Sequence, residues 1–371
     1  MEPRAPARPA RLVLVLSAAG VLVLGLNAGL LLLGLPMPIG AERLAELHAP
    51  LLVFGAIGAL ISLERAVALR RSWAYAAPAL MTGGALIALT PAPPTTGPLM
   101  VVAGLAVHVW QYRAIWRRQP MTATTVQALG AITALVAALA WSGGVPPSRL
   151  VPLLAVYLIL TIVGERLELA RLNAPGLAAE RLLFALALSL SAAAVVSLTV
   201  PTVAVPVAGV LLIALSAWLL PYDVARTTVR MSGLPRFVAA CLLVGYVWLI
   251  IAGAGWVLGG ARTEGAIYDA TTHAIFLGFV VTMIMAHAPI ILPAVLGVRI
   301  PYHAVLYVPV GLLHAALLAR VVAGDAWGWI HALQTAGATA AVAMMLYGVL
   351  AITVSARARF TERQGGRRVE A

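Results

Sequence analysis

Apolar residues run along this chain in long blocks, and polar ones collect at the breaks between them. A helix needs about 20 mostly apolar residues to cross the hydrocarbon of a bilayer. Twelve blocks meet or approach that length: 12–34, 46–68, 74–91, 97–116, 122–142, 150–167, 179–199, 203–221, 236–258, 267–291, 302–322 and 328–354. Turn-forming or charged stretches separate them, among them PAPPTTGP, SGGVPPSR, LNAPG, LGGARTEG and VAGDAWG. The pattern predicts an all-α, polytopic membrane protein with twelve transmembrane helices. A short segment, 1–11, precedes the transmembrane domain of 12–354, and a basic tail, 355–371, expected to be disordered, follows it. The first block follows Arg4, Arg8 and Arg11 as a signal peptide would, but its apolar run is too long for a cleaved one, so it is read as a retained helix.

Composition agrees with the pattern. Apolar residues make up 62% of the chain and charged residues 10%, whereas soluble domains have about 45–50% and about 25%. The single cysteine, Cys241, excludes an intrachain disulfide and any cysteine-based metal site.

All 25 basic residues are arginine. With the N-terminus inside, only Arg43, Arg149, Arg262 and Arg320 fall on outer segments, and the other 21 of the 25 fall on inner ones. Arginine excess marks cytoplasmic loops, so both termini are placed in the cytoplasm of a bacterial inner membrane. The net charge of +12 is then a topology signal and a contact with anionic lipid, not a nucleic-acid footprint. An internal similarity accompanies this plan. LISLERAVALRR ends the second block and TIVGERLELARL ends the sixth, which suggests a repeating unit of four helices in which the second, sixth and tenth are equivalent.

Polar residues inside apolar spans are functional candidates by default. His48 opens the second block and His273 the tenth, both at the outer side; His331 also lies outside. His287 and His303 lie at the inner side, and His108 and His314 near mid-membrane. Fourteen residues of α-helix rise about 21 Å and return to nearly the same face, so His273 and His287 are expected to share a face in two different layers. Two outer histidines at matched depth on different helices suit axial ligation of a haem. Without a CxxCH site, that haem would be non-covalent, a haem b. Copper would favour two or three imidazoles, with methionine such as Met283 or Met285 as a further ligand. The inner residues Glu64, Glu165, His287 and His303, together with His331, form a second candidate metal set, against a reading of Glu64, Arg65, Glu165 and Arg166 as structural ion pairs between helices. Asp269 and Glu46 are placed to orient His273 and His48, or to remain solvated loop charges.

The segments HAPLLVFGAIGALI and THAIFLGFVVTMIMA, set at the outer ends of the second and tenth of twelve spans, resemble the haem-copper oxidase subunit I superfamily, and most closely its NnrS-like branch. The resemblance implies an oxidase-like fold with pseudo-threefold four-helix units and a low-spin haem between His48 and His273. It also implies a role in nitric-oxide or redox handling, sensing or electron transfer, with a redox partner or a small gas ligand. The chain departs from the oxidases where their second haem and copper sit: the sixth and seventh blocks hold no histidine, and Thr271 stands where the high-spin haem ligand would. Oxygen reduction and proton pumping are therefore not expected. A secondary transporter of a small solute or metal is the alternative, and a membrane enzyme with a metal at the inner Glu/His layer is the third reading. Whether the protein is an enzyme stays open.

Overall fold

A computed structural model describes residues 8–40, 42–170, 176–298 and 300–369. Residues 1–7, Arg171 and Arg299 lie outside these, and with them three arginines of the orientation argument, Arg4, Arg171 and Arg299. The described chain is all α, as the hydropathy blocks predict. Twelve rods follow one another: α1 (Arg8–Leu32), α2 (His48–Leu69), α3 (Ala76–Ile87), α4 (Thr96–Arg118), α5 (Thr122–Ser142) and α6 (Pro147–Ala170). Then come α7 (Leu177–Val196), α8 (Pro201–Tyr222), α9 (Leu234–Gly259), α10 (Ala266–Leu296), α11 (Ala304–Ala326) and α12 (Ile330–Val369).

Ten of the rods are long and apolar enough to cross a membrane, which makes this an integral membrane protein. The two others are α3 and α4. The first is only 12 residues long, and the second carries Arg113, Arg117 and Arg118 near its end. Without a hydrophobic force between helices in lipid, close backbone approach through small residues holds such rods together. Gly84 of α3 and Gly97 of α4 do this: a Cβ on either would come within 2.7 Å of the other's carbonyl oxygen. Gly209 of α8 and Gly253 of α9 repeat the arrangement. At the centre stands α6, of whose apolar window 89% is buried. Both α2 and α6 pack against α10.

The helix α12 is drawn as far as Val369, through most of the basic tail. An established helix extends without a new nucleation cost, and Ala, Arg, Glu and Gln are good helix formers. One expectation is corrected: α10 is not a uniform α-helix. Its residues Ala274–Val281 form π turns, whose i→i+5 bonds take more residues per turn than an α-helix. The α-helical arithmetic that set His273 and His287 on one face therefore does not apply. Two further π stretches occur, Leu51–Gly58 in α2 and Arg320–Ala326 in α11.

Candidate functional site

Each π stretch starts at or near a polar residue that the arginine count predicts to lie in the outer half. His48 precedes Leu51–Gly58 by one α-helical turn, His273 immediately precedes Ala274–Val281, and Arg320 begins Arg320–Ala326. Such wide turns are frequent at functional sites. The Thr282 hydroxyl donates to the carbonyl of Leu277, five residues back, at 3.0 Å, so it takes up a carbonyl that the wide turn exposes.

His48 rests against α1. Its Nδ1–H donates to the Gly25 carbonyl at 2.7 Å. A carbonyl can only accept, so Nδ1 carries a proton, and in the neutral ring Nε2 then keeps its lone pair. Gly29, one turn along α1, leaves room for the ring: a Cβ there would stand 2.5 Å from Cε1 of His48. His273 is held by the same device, with Nδ1–H donating to the Asp269 carbonyl at 2.9 Å. The Asp269 carboxylate lies beside that nitrogen too, with Oδ1 at 3.2 Å. His273, Asp269 and Arg320 are all close enough to His48 to act on its charge. Both rings are half-buried.

Asp269 is not a solvated loop charge, the reading the sequence favoured. Arg320 grips it with Nε to Oδ2 at 2.6 Å and Nη2 to Oδ1 at 2.7 Å. Nor is Arg320 a loop residue. It is 5% exposed, inside the π turns of α11. Buried charges persist where they are paired and hydrogen-bonded, and this bidentate fork satisfies both partners. Asp325 stands close enough to interact with Asp269 and Arg320, and its Oδ2 is buried with no hydrogen-bond partner. Glu46, the other carboxylate suggested as an orienting group, is exposed.

The inner residues divide into two groups. In the first, Arg65 of α2 hydrogen-bonds Glu165 of α6 and lies 3.6 Å from Glu64. The guanidinium also sits 6.0 Å from the centre of the Tyr112 ring. In the second, Arg166 and Asp223 act on His287, and Asp223 accepts from the Tyr246 hydroxyl at 2.6 Å and the Ala225 N–H at 2.8 Å. His287 Nδ1–H donates to the Met283 carbonyl at 2.8 Å, and its buried Nε2 has no partner. Asp223 escaped the sequence reading because it falls in a short connection after α8, where a charge is ordinarily solvated.

The metal set proposed from sequence is not gathered in one place. His303 is exposed, and its Nδ1 accepts from the Val305 N–H at 3.1 Å, capping a 3-10 turn. His331 is exposed at the start of α12. Among the described residues no three His, Cys, Asp or Glu side chains are grouped to hold a metal ion.

The mid-membrane histidines are packed into hydrogen-bond networks. His108 Nδ1 pairs with Gln111 Oε1 at 2.7 Å, and the Tyr157 hydroxyl lies 3.5 Å from its Nε2. His314 accepts from Trp248 Nε1–H at 3.1 Å. Thr271 donates its hydroxyl to the Ile267 carbonyl at 2.8 Å and turns its methyl toward Gly255 of α9.

The chain belongs to the family described as domain of unknown function DUF8744, whose model matches residues 11–356. That description names no cofactor or activity and provides no link to the haem-copper oxidases. No curated protein matches the chain.

Proposed function

We propose that the protein binds one non-covalent haem b in the outer half of the bilayer, between His48 and His273, and uses it for redox handling, sensing or electron transfer. The observation that carries this reading is the tautomer shared by the two imidazoles. Each has Nδ1 within hydrogen-bond reach of a backbone carbonyl, an arrangement that in the neutral ring puts the proton on Nδ1 and leaves the Nε2 lone pair for a metal. Asp269 beside His273 Nδ1 supplies the carboxylate that typically fixes such a ligand and raises its basicity. Arg320 in turn fixes Asp269. A bound haem would supply one-electron chemistry or a site for a small gas. The twelve-span, oxidase-like plan with both termini in the cytoplasm belongs to the same proposal, with α3 and α4 as the two additional crossings. It is supported by the packing of α2 and α6 against α10.

The test is an absorption spectrum of the purified protein after expression with ample haem. A Soret band is expected, and it should disappear in both His48→Ala and His273→Ala but persist in His314→Ala. Absence of the band in the native protein would sink the reading.

A secondary transporter is the second reading. The buried Nε2 of His287 without a partner, beside Arg166 and Asp223, favours it. Proton-coupled solute flux in haem-free vesicles, abolished by His287→Ala, would establish it instead.

A further inference from the structure

A groove of about 320 Å³ at the arginine-rich ends of α2 and α4 stands apart from the histidine layers. It is lined by Leu69, Arg71, Trp73, Trp110, Arg113, Ala114, Arg117 and Arg118. The lining therefore brings together four arginines and two indoles, with no acidic side chain.

Local structure sets these groups in place. The α-helix within α2 stops because Arg70 adopts a left-handed conformation, φ 54°. It is the sole non-glycine residue with positive φ among those described. The reversal turns Arg71 and Trp73 back toward α4. Arg118 closes the far side by donating Nη2–H to the Leu69 carbonyl at 2.9 Å, which caps the exposed end of that helix. Along α4, Trp110, Arg113, Ala114 and Arg117 fall at helical spacing on one face. The Arg113 guanidinium lies over the Trp110 ring, 5.5 Å from its centre. Like charges one helical turn apart repel, so Arg113 and Arg117 on one face gain from an anion between them.

We propose that this groove binds the headgroup of an anionic phospholipid carrying more than one phosphate, such as a diphosphatidylglycerol. Two observations and one general preference select a lipid over a soluble anion. The charges stand where the apolar rod α2 ends, and the ends of spanning rods meet the headgroups. Trp73 and Trp110 are 37% and 53% exposed, as tryptophans of the interfacial belt are. Basic pockets between transmembrane helices on the cytoplasmic side suit such headgroups. Arg113 and Arg117 can each hold a phosphate by a bidentate fork, and Arg71 and Arg118, which keep contacts of their own, add positive charge at the rim. The proposal is independent of the haem reading and stands at the opposite side of the bilayer from it.

The experiment uses the full chain, delipidated in detergent and titrated with diphosphatidylglycerol while its thermal unfolding midpoint is followed. The midpoint should rise with this lipid and not with phosphatidylcholine. In Arg113→Ala/Arg117→Ala the lipid concentration needed should rise about 30-fold, the scale for two arginines at a headgroup site. Arg117→Gln alone, at an exposed position, should give a smaller shift of the same sign if the double variant does not fold. Arg226→Ala/Arg230→Ala, exposed in another arginine-rich connection, should respond as the native chain does. An unchanged titration in the groove variants, or an equal loss in the Arg226/Arg230 variant, would overturn the site. Competition by inorganic pyrophosphate at concentrations equal to the lipid would overturn the lipid assignment.

Discussion

Arg320 holds Asp269 in a two-point grip across α11 and α10, with distances of 2.6 and 2.7 Å. Because Asp269 also lies 3.2 Å from His273 Nδ1, an arginine on one helix determines how an imidazole on another is presented. Removing one member of a buried pair strands the other charge, at about 3–5 kcal/mol. We expect Arg320→Met to lower thermal stability by about that much. The double variant Arg320→Met/Asp269→Asn should recover part of the loss. If the double variant is no better than the single one, the charge of Asp269 is not what Arg320 compensates.

Asp269→Asn alone keeps the side-chain shape but removes the carboxylate beside His273. Carboxylate partners of ligating imidazoles typically contribute about 10–100-fold in affinity. Haem retention during dilution should fall by that factor while the band position stays that of a bis-histidine haem. A variant that retains haem like the native protein would show that Asp269 serves only Arg320.

Gly29→Ala puts a methyl carbon 2.5 Å from His48 Cε1. The ring must shift, at an overpacking cost of about 1–3 kcal/mol. Haem content should drop while the protein still folds. Gly311 of α11 has nothing within 4 Å of its would-be Cβ, so Gly311→Ala is the control and should leave content unchanged. Equal effects of the two substitutions would contradict the close fit of His48 against α1.

Tyr246→Phe removes the hydroxyl that donates to Asp223 Oδ2 at 2.6 Å. Asp223 is 2% exposed, so the lost bond is one to a buried charged group, and such bonds contribute about 1.5–3 kcal/mol. Chemical or thermal unfolding should show a loss in that range, with no change in any haem spectrum. A spectral change would join the inner and outer layers in one site.

The rods were legible because a bilayer demands long apolar runs and little else matches them. His48 and His273 stood out for a related reason: a histidine in such a run needs a partner. Their orienting groups were less visible. Arg320 falls near the end of the block 302–322 and reads as an arginine facing the outer water until the π turns of α11 carry the helix past it. Asp269 reads as solvated until that arginine is seen against it. Gly25 and Gly29 did leave a sign, since glycines four apart in a span mark close approach of another helix. The π stretches left none, because hydrophobicity that runs around the whole helix hides a change in its period. Glu165 and Arg166 show a further limit. They are sequence neighbours, yet one meets Arg65 and the other lies near His287, a division fixed by the roughly 100° step between adjacent helical residues.

The π turns of α10 also have a geometric consequence. A π stretch stores more residues per turn than the helix on either side, through hydrogen bonds that reach one residue further. Ala274–Val281 therefore changes the face on which His287 follows His273. The rod is held beside His273 by the pair of Asp269 with Arg320, and beside His287 by the bond of the Tyr347 hydroxyl to the Met285 carbonyl. Deleting one residue from the stretch should rotate one histidine against the other by about 100°.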